Sequence, residues 1–186
     1  MSIKGIIHKF GDHVDTDVIL PGRYLAIRDS KELGRHCLEG LDPCFAQRVR
    51  TNDLVVAGRN FGSGSSREQA PMALRGAGVG CVVAVSFARI FYRNAINIGL
   101  PILICPEFVI AAQAGIPATI DLDAGQVDYE GRIFRGTPMP DSVRSIVEAG
   151  GLVPYVRRQL ALGGCCQLSM GPGDRSGSEA MPHIDR

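Results

Sequence analysis

Serine and arginine side chains gather in one glycine-rich stretch of the chain, GRNFGSGSSREQAPMALRG, residues 58–76. Gly58, Gly62 and Gly64 are interleaved with Ser63, Ser65 and Ser66, and Arg67 and Glu68 follow directly. An apolar run, Leu54 to Ala57, precedes the stretch, and a helix-compatible segment, Glu68 to Arg75, comes after it. A loop between strand and helix turns backbone N–H groups outward, and the dipole of the next helix favours a negative ligand. Glycine permits positive φ and close backbone approach, so such a loop can fold around an anion. Ser65 or Ser66 suits the helix N-cap, and Arg67 adds a planar fork matched to carboxylate or phosphate. A linker that merely caps a helix has the same composition. The spacing gives neither G-x-G-x-x-G nor a P-loop Lys-Ser/Thr, and Ser63 stands in G-S-G rather than a nucleophile elbow. What remains is an anion site with hydroxyls and one arginine, suited to a substrate bearing carboxylates.

A second cluster is acidic. Asp12, Asp15 and Asp17 lie in GDHVDTDVILPGRYLA. Hard divalent cations take such oxygens, but this spacing favours Asx-turns and caps over a metal site. Arg89 and Arg93 stand four apart on one side of a helix, either solvated or facing an acidic ligand or partner. The six cysteines include no C-x-x-C pair. Cys81 and Cys105 sit in apolar runs, where a free thiol acts as a small hydrophobe. Cys165 and Cys166 fall in a Gly-rich tail, and adjacent cysteines ligate one metal poorly. No metal site is expected in this chain.

The elements that must position these residues alternate. Ile3–Phe10 reads as a first strand, Ser30–Glu39 as a helix with His36 on its polar surface, and Asp53–Ala57 as a strand. Gly78–Val85 is an apolar run suited to a strand buried on both faces. Ser86 is placed to cap the next helix, Phe87–Ile98, and Leu100–Cys105 is a further buried strand. Pro71 leaves open whether the helix after the glycine loop restarts there. Strand, loop, helix, strand, helix, strand argues for an α/β layer. From Pro117 the pattern changes to short strands, 118–122, 126–130 and 132–136, as in an antiparallel meander. Asp141–Gly150 is a last helix, with Leu152–Leu162 as a candidate continuation. The organisation expected is one domain over 1–162 and a disordered tail over 163–186.

Composition narrows the function classes. The 186 residues are 45% hydrophobic with a formal net charge of +1, which fits one core and leaves no electrostatic footprint for nucleic acid. No run reaches the length of a membrane span, and residues 1–20 carry too many charges for a signal peptide. The chain reads as cytoplasmic.

DTDVILPGRYL, GRNFGSGSSREQAPMAL and VVAVSFARIFYRNAINIGLPIL together resemble the small subunits of isopropylmalate dehydratase and homoaconitase, which correspond to the swivelling domain of aconitase. The resemblance covers roughly residues 3 to 160. It implies an α/β fold, a single aconitase-like swivelling domain layered β/β/α, with a central parallel or mixed sheet and a short antiparallel C-terminal part. It also implies a hydro-lyase of leucine biosynthesis, active only with a large subunit that carries a [4Fe–4S] cluster, in a heterodimer or heterotetramer. The small hydroxy-dicarboxylate substrate would lose its proton to Ser65 and be held by Ser66 and Arg67, with Asp17 as a further active-site acid. Substrate choice would fall to the loop Tyr24-Leu25-Ala26-Ile27. A cation at position 26 would suit homoaconitate, whereas the small neutral Ala26 leans toward isopropylmalate or another alkylmalate such as dimethylmalate or methylmalate. Arg23 and Arg28 flank this loop as alternative cations. The competing class is a non-catalytic carboxylate- or phosphate-binding module.

Overall fold

In the computed structural model, residues 1–163 are described. A seven-stranded mixed sheet carries the fold, in the order β4-β3-β2-β1-β5-β6-β7. The strands are β1 (Ser2–Lys9), β2 (Leu54–Ala57), β3 (Cys81–Ala84), β4 (Ile102–Ile104), β5 (Pro117–Asp121), β6 (Gln126–Tyr129) and β7 (Arg132–Arg135). β1 to β4 are parallel, whereas β5, β6 and β7 run antiparallel from the other side of β1. LVVA of β2 and CVVA of β3 are buried at every position, as suits parallel strands covered on both faces. β5 alternates buried and less buried residues, leaving one face nearer to solvent.

The helices are α1 (Thr16–Ile19), α2 (Ser30–Gly34), α3 (Phe45–Arg48), α4 (Gln69–Ala77), α5 (Arg89–Ile98), α6 (Pro106–Ala111), α7 (Asp141–Glu148) and α8 (Leu152–Gly163), with a 3-10 turn at Gly22–Tyr24. The alternating strands and helices and the terminal meander agree with the expected architecture. α4 runs through Pro71 without interruption, because Pro71 is its third residue and would have no intrahelical acceptor for an N–H there anyway. Leu152 onward does not continue α7. The chain turns at Gly150 and Gly151, with φ of 84° and 124°, and starts a separate helix. The expected tail lies outside the described residues, as do Cys165 and Cys166. Among the described residues no helix is long and apolar enough to cross a membrane.

A buried carboxylate ties β1 to β2. Asp53 accepts from Ile6 N at 2.9 Å, Arg50 N at 2.8 Å and His8 Nε2 at 2.9 Å. Burial works against its charge, but these donors, His8 foremost, outweigh it and hold the carboxyl below its ordinary range.

Candidate active site

The glycine-rich loop lies beyond the carboxyl ends of the parallel strands, where open α/β sheets hold ligands. Residues 11–16 run alongside it like an extra strand. His13 N donates to Arg59 O, Gly62 N to Val14 O and Thr16 N to Ser63 O, each at 2.8 Å. On the other side Phe61 N donates to Ser86 O and Ala88 N to Phe61 O, both at 3.0 Å. Phe61 is wholly buried and meets Phe91 edge-on, ring centroids 5.2 Å apart. The loop is therefore anchored at both flanks while its tip stays open.

At that tip Gly64, Ser65 and Ser66 are exposed. Gly64 has φ 91°, and a Cβ there would lie 2.3 Å from Asp15 Oδ2, so only glycine lets the chain cross Asp15. Among the described residues the N–H groups of Gly64, Ser65 and Ser66 have no protein acceptor. Ser65 O accepts from Arg67 N at 2.8 Å and from Thr16 Oγ1 at 3.3 Å. These bonds fix the Ser65 backbone, while its hydroxyl makes no hydrogen bond among the described residues.

Arg67 turns inward. Its guanidinium pairs with Asp17 through Nη1, which is buried from solvent. A Cβ on Gly22, which opens the 3-10 turn, would lie 3.8 Å from that same nitrogen. Asp17 and the start of the Tyr24 loop thus meet around the guanidinium of Arg67, a residue whose backbone N–H is bonded to Ser65. Tyr24 and Leu25 are half-buried against the core and Ala26 is exposed. Ser66 is exposed at the tip.

The other two aspartates cap and brace, as the spacing favoured. Asp15 Oδ1 accepts from Asp17 N at 2.7 Å as the N-cap of α1, and Asp12 Oδ1 accepts from Arg59 N at 2.7 Å. Two expected caps are corrected. Neither Ser65 nor Ser66 caps α4, whose N-cap is Glu68 with no side-chain bond. Ser86 does not cap α5 but accepts from Asn60 N at 2.9 Å, since a loop N–H lies closer to it than the helix end. Arg89 and Arg93 are exposed and line a groove of about 580 Å³ with Asn60, Gly62, Gly64 and Ile90.

Cys81 and Cys105 lie in the core as expected, and Cys37 joins them. Cys37, Cys81 and Cys105 are buried, and burial pushes all three thiols up, away from nucleophilic use. Among the described residues no three His, Cys, Asp or Glu side chains converge on a metal position. Thr16 went unnoticed in the sequence, and His36, read there as helix surface, stacks on Tyr24 instead. The i, i+3 spacing of His36 and Glu39, which do pair, was the available signal.

A mixed sheet with a serine- and arginine-bearing loop at the ends of its parallel strands is the frame of a swivel-type domain. The profile of the aconitase C-terminal domain family matches residues 23–107. The chain belongs to this family, in its branch of dehydratase small subunits. It is 50% identical over 159 residues to the 3-isopropylmalate dehydratase small subunit of Halothermothrix orenii, covering 84% of this chain and 96% of that one. It is 49% identical over 158 residues to the 2,3-dimethylmalate dehydratase small subunit of Eubacterium barkeri, covering 84% and 97%. The crystal structure of 3-isopropylmalate dehydratase (LeuD) from Methanocaldococcus jannaschii superposes with a TM-score of 0.84 at 44% identity, covering 88% of this chain and 98% of that one.

Proposed function

We propose that the chain works as the small subunit of a 3-isopropylmalate dehydratase, interconverting 2- and 3-isopropylmalate by loss and return of water in cytoplasmic leucine biosynthesis. The observation that carries the site reading is the Arg67 guanidinium, held by Asp17 in the loop that exposes Ser65 and Ser66. Arg67 and the Ser66 hydroxyl hold one substrate carboxylate. Ser65, as alkoxide, takes the proton from the carbon beside the hydroxyl-bearing one, the C=C bond forms, and the hydroxyl departs with its bonding pair and takes up a proton from solvent to become water. Return of water with the opposite regiochemistry completes the isomerisation. Serine is a weak acid, so its alkoxide needs the free N–H groups of the tip and the Arg67 charge nearby. An iron–sulfur cluster carried by the large subunit supplies the Lewis acid for the leaving hydroxyl. Asp17 orients Arg67 and lies close enough to the loop to share in proton traffic.

The test is reconstitution with a cluster-loaded large subunit, followed by turnover of isopropylmalate. Ser65→Ala is expected to assemble normally and lower kcat by about 10²–10⁴-fold, the span of general acid–base contributions. An undiminished rate would remove Ser65 from this role. A second reading, dimethylmalate as substrate, draws on the near-equal identity to the Eubacterium barkeri subunit. A neutral pocket separates alkyl groups by only ~1–3 kcal/mol. Parallel assays with both acids decide between them.

A further inference from the structure

Behind the Tyr24 loop lies a polar cluster that the proposed chemistry does not use. Glu39 accepts from the Arg23 guanidinium, from the Tyr24 hydroxyl at 3.3 Å and from His36 Nδ1 at 3.2 Å. A carboxylate only accepts, so Nδ1 of His36 carries the hydrogen. The His36 ring lies flat on Tyr24, with centroids 3.7 Å apart and planes 12° from parallel. Arg23 covers the same ring, its Cζ 4.7 Å from the centroid.

The backbone is bent to make this cluster. Leu38 is wholly buried yet has φ 57°, a left-handed conformation that residues with a Cβ seldom adopt. Its N–H donates to Ile19 O at 2.8 Å, tying the bend to the helix that bears Asp17. The next residue, Glu39, is 21% exposed, whereas Arg23 is 66% exposed. The carboxylate is built in, and the arginine is brought to it from the loop.

We propose that Glu39 is a positioning and specificity-determining residue for the reaction proposed above, on which this inference rests. It fixes the Tyr24 ring and occupies the charge of Arg23, so that the loop presents Leu25 and Ala26 as a neutral surface. An arginine released from Glu39 would offer that surface a cation and draw in a side chain ending in a carboxylate. Selection of an alkyl group over a carboxylate thus depends on an acid that stands behind the loop and does not touch the ligand.

The experiment uses the reconstituted two-subunit enzyme and two substrates: isopropylmalate, and a malate whose alkyl group ends in a carboxylate. Glu39→Gln keeps the size and still accepts from Tyr24, but loses the charge that holds Arg23. The ratio of kcat/KM for the carboxylate-bearing acid to that for isopropylmalate is expected to rise about tenfold, with kcat for isopropylmalate within about twofold of wild type and its KM raised. Adding Arg23→Ala is expected to return the ratio to the wild-type value. Glu39→Asp, which keeps the charge, is expected to hold that value, and it tests the charge argument even where the glutamine variant folds poorly. An unchanged ratio in Glu39→Gln, a raised ratio that survives Arg23→Ala, or the same rise in Glu39→Asp would each overturn the proposal. A wild-type complex that turns over no alkylmalate would instead overturn the reading of function, and the proposal with it.

Discussion

Asp17 and Arg67 form an ion pair across the mouth of the glycine-rich loop, joining the first turn of α1 to the segment that leads into α4. Asp17 keeps 54% of its side chain exposed against 22% for Arg67, so the acid is the partner that can yield. A ligand carboxylate would find the guanidinium already oriented by Asp17. Arg67→Lys keeps the charge and loses the fork. In the reconstituted enzyme KM is expected to rise by about 10- to 100-fold, the equivalent of one charge-assisted hydrogen bond. Steady-state kinetics on isopropylmalate check this, and an unchanged KM would show that Arg67 does not hold the substrate.

Gly64→Ala is expected to disturb both folding and turnover. Its φ of 91° and the 2.3 Å approach to Asp15 leave no room for a methyl group. The conformation alone costs about 1–2 kcal/mol, and the clash displaces the tip that carries Ser65. Gly131→Ala is the control, since Gly131 has φ 75° with no atom within 4 Å of the added carbon. Urea melts of the two variants should differ, with Gly64→Ala the less stable and the only one to lose activity.

Acid should loosen the junction of β1 and β2. The native carboxyl of Asp53 titrates below its unfolded value, so its contribution is present in full above that value and is lost as pH falls through the native one. The window opens below about pH 4, the ordinary aspartate range. Asp53→Asn is expected to cost about 1–3 kcal/mol at neutral pH through its lost acceptors. The gap to wild type should close as acid protonates Asp53. Denaturation midpoints measured from pH 7 to pH 3 test this, and parallel curves would refute it.

Ser86→Ala leaves the half-buried Asn60 N–H without its acceptor. The expected loss is about 1 kcal/mol, seen as a Tm lower by about 2–4 °C. Hydrogen exchange at Asn60 should quicken, whereas amides in the first turn of α5 should not, which separates a loop brace from a helix cap.

Much of this could be read from the residue order. β2, β3 and β4 are short apolar runs bounded by glycine, serine or proline, and their burial on both faces gives them a pattern few other elements share. The serines and arginine stood out because glycines cluster them between a strand and a helix, although a capping linker shares that composition, and only the fold sets Arg67 against Asp17. Where reading failed, the deciding partner lay far along the chain. Ser86 stands one short step before a helix and invites a capping role, yet its acceptor duty is to Asn60, placed there by the pairing of Phe61 with Phe87. His36 looked like a solvated helix residue because nothing local announces the left-handed Leu38 or the ring of Tyr24. Asp53 looked like the polar start of a strand, and only the register of β1 against β2 reveals the donors around it.

β1 is the one strand that joins the two halves of the sheet, parallel to β2 along one edge and antiparallel to β5 along the other. Ser2 faces Asp121 and Ile7 faces Leu54, so neither edge of β1 can be satisfied by its neighbours in sequence. Contacts this distant slow folding, because loop entropy must be overcome before they contribute. On a ribosome the first strand made must therefore wait with one edge bare until residues 117–121 have emerged, and the segment that braces the Ser65 loop leads directly out of that waiting strand.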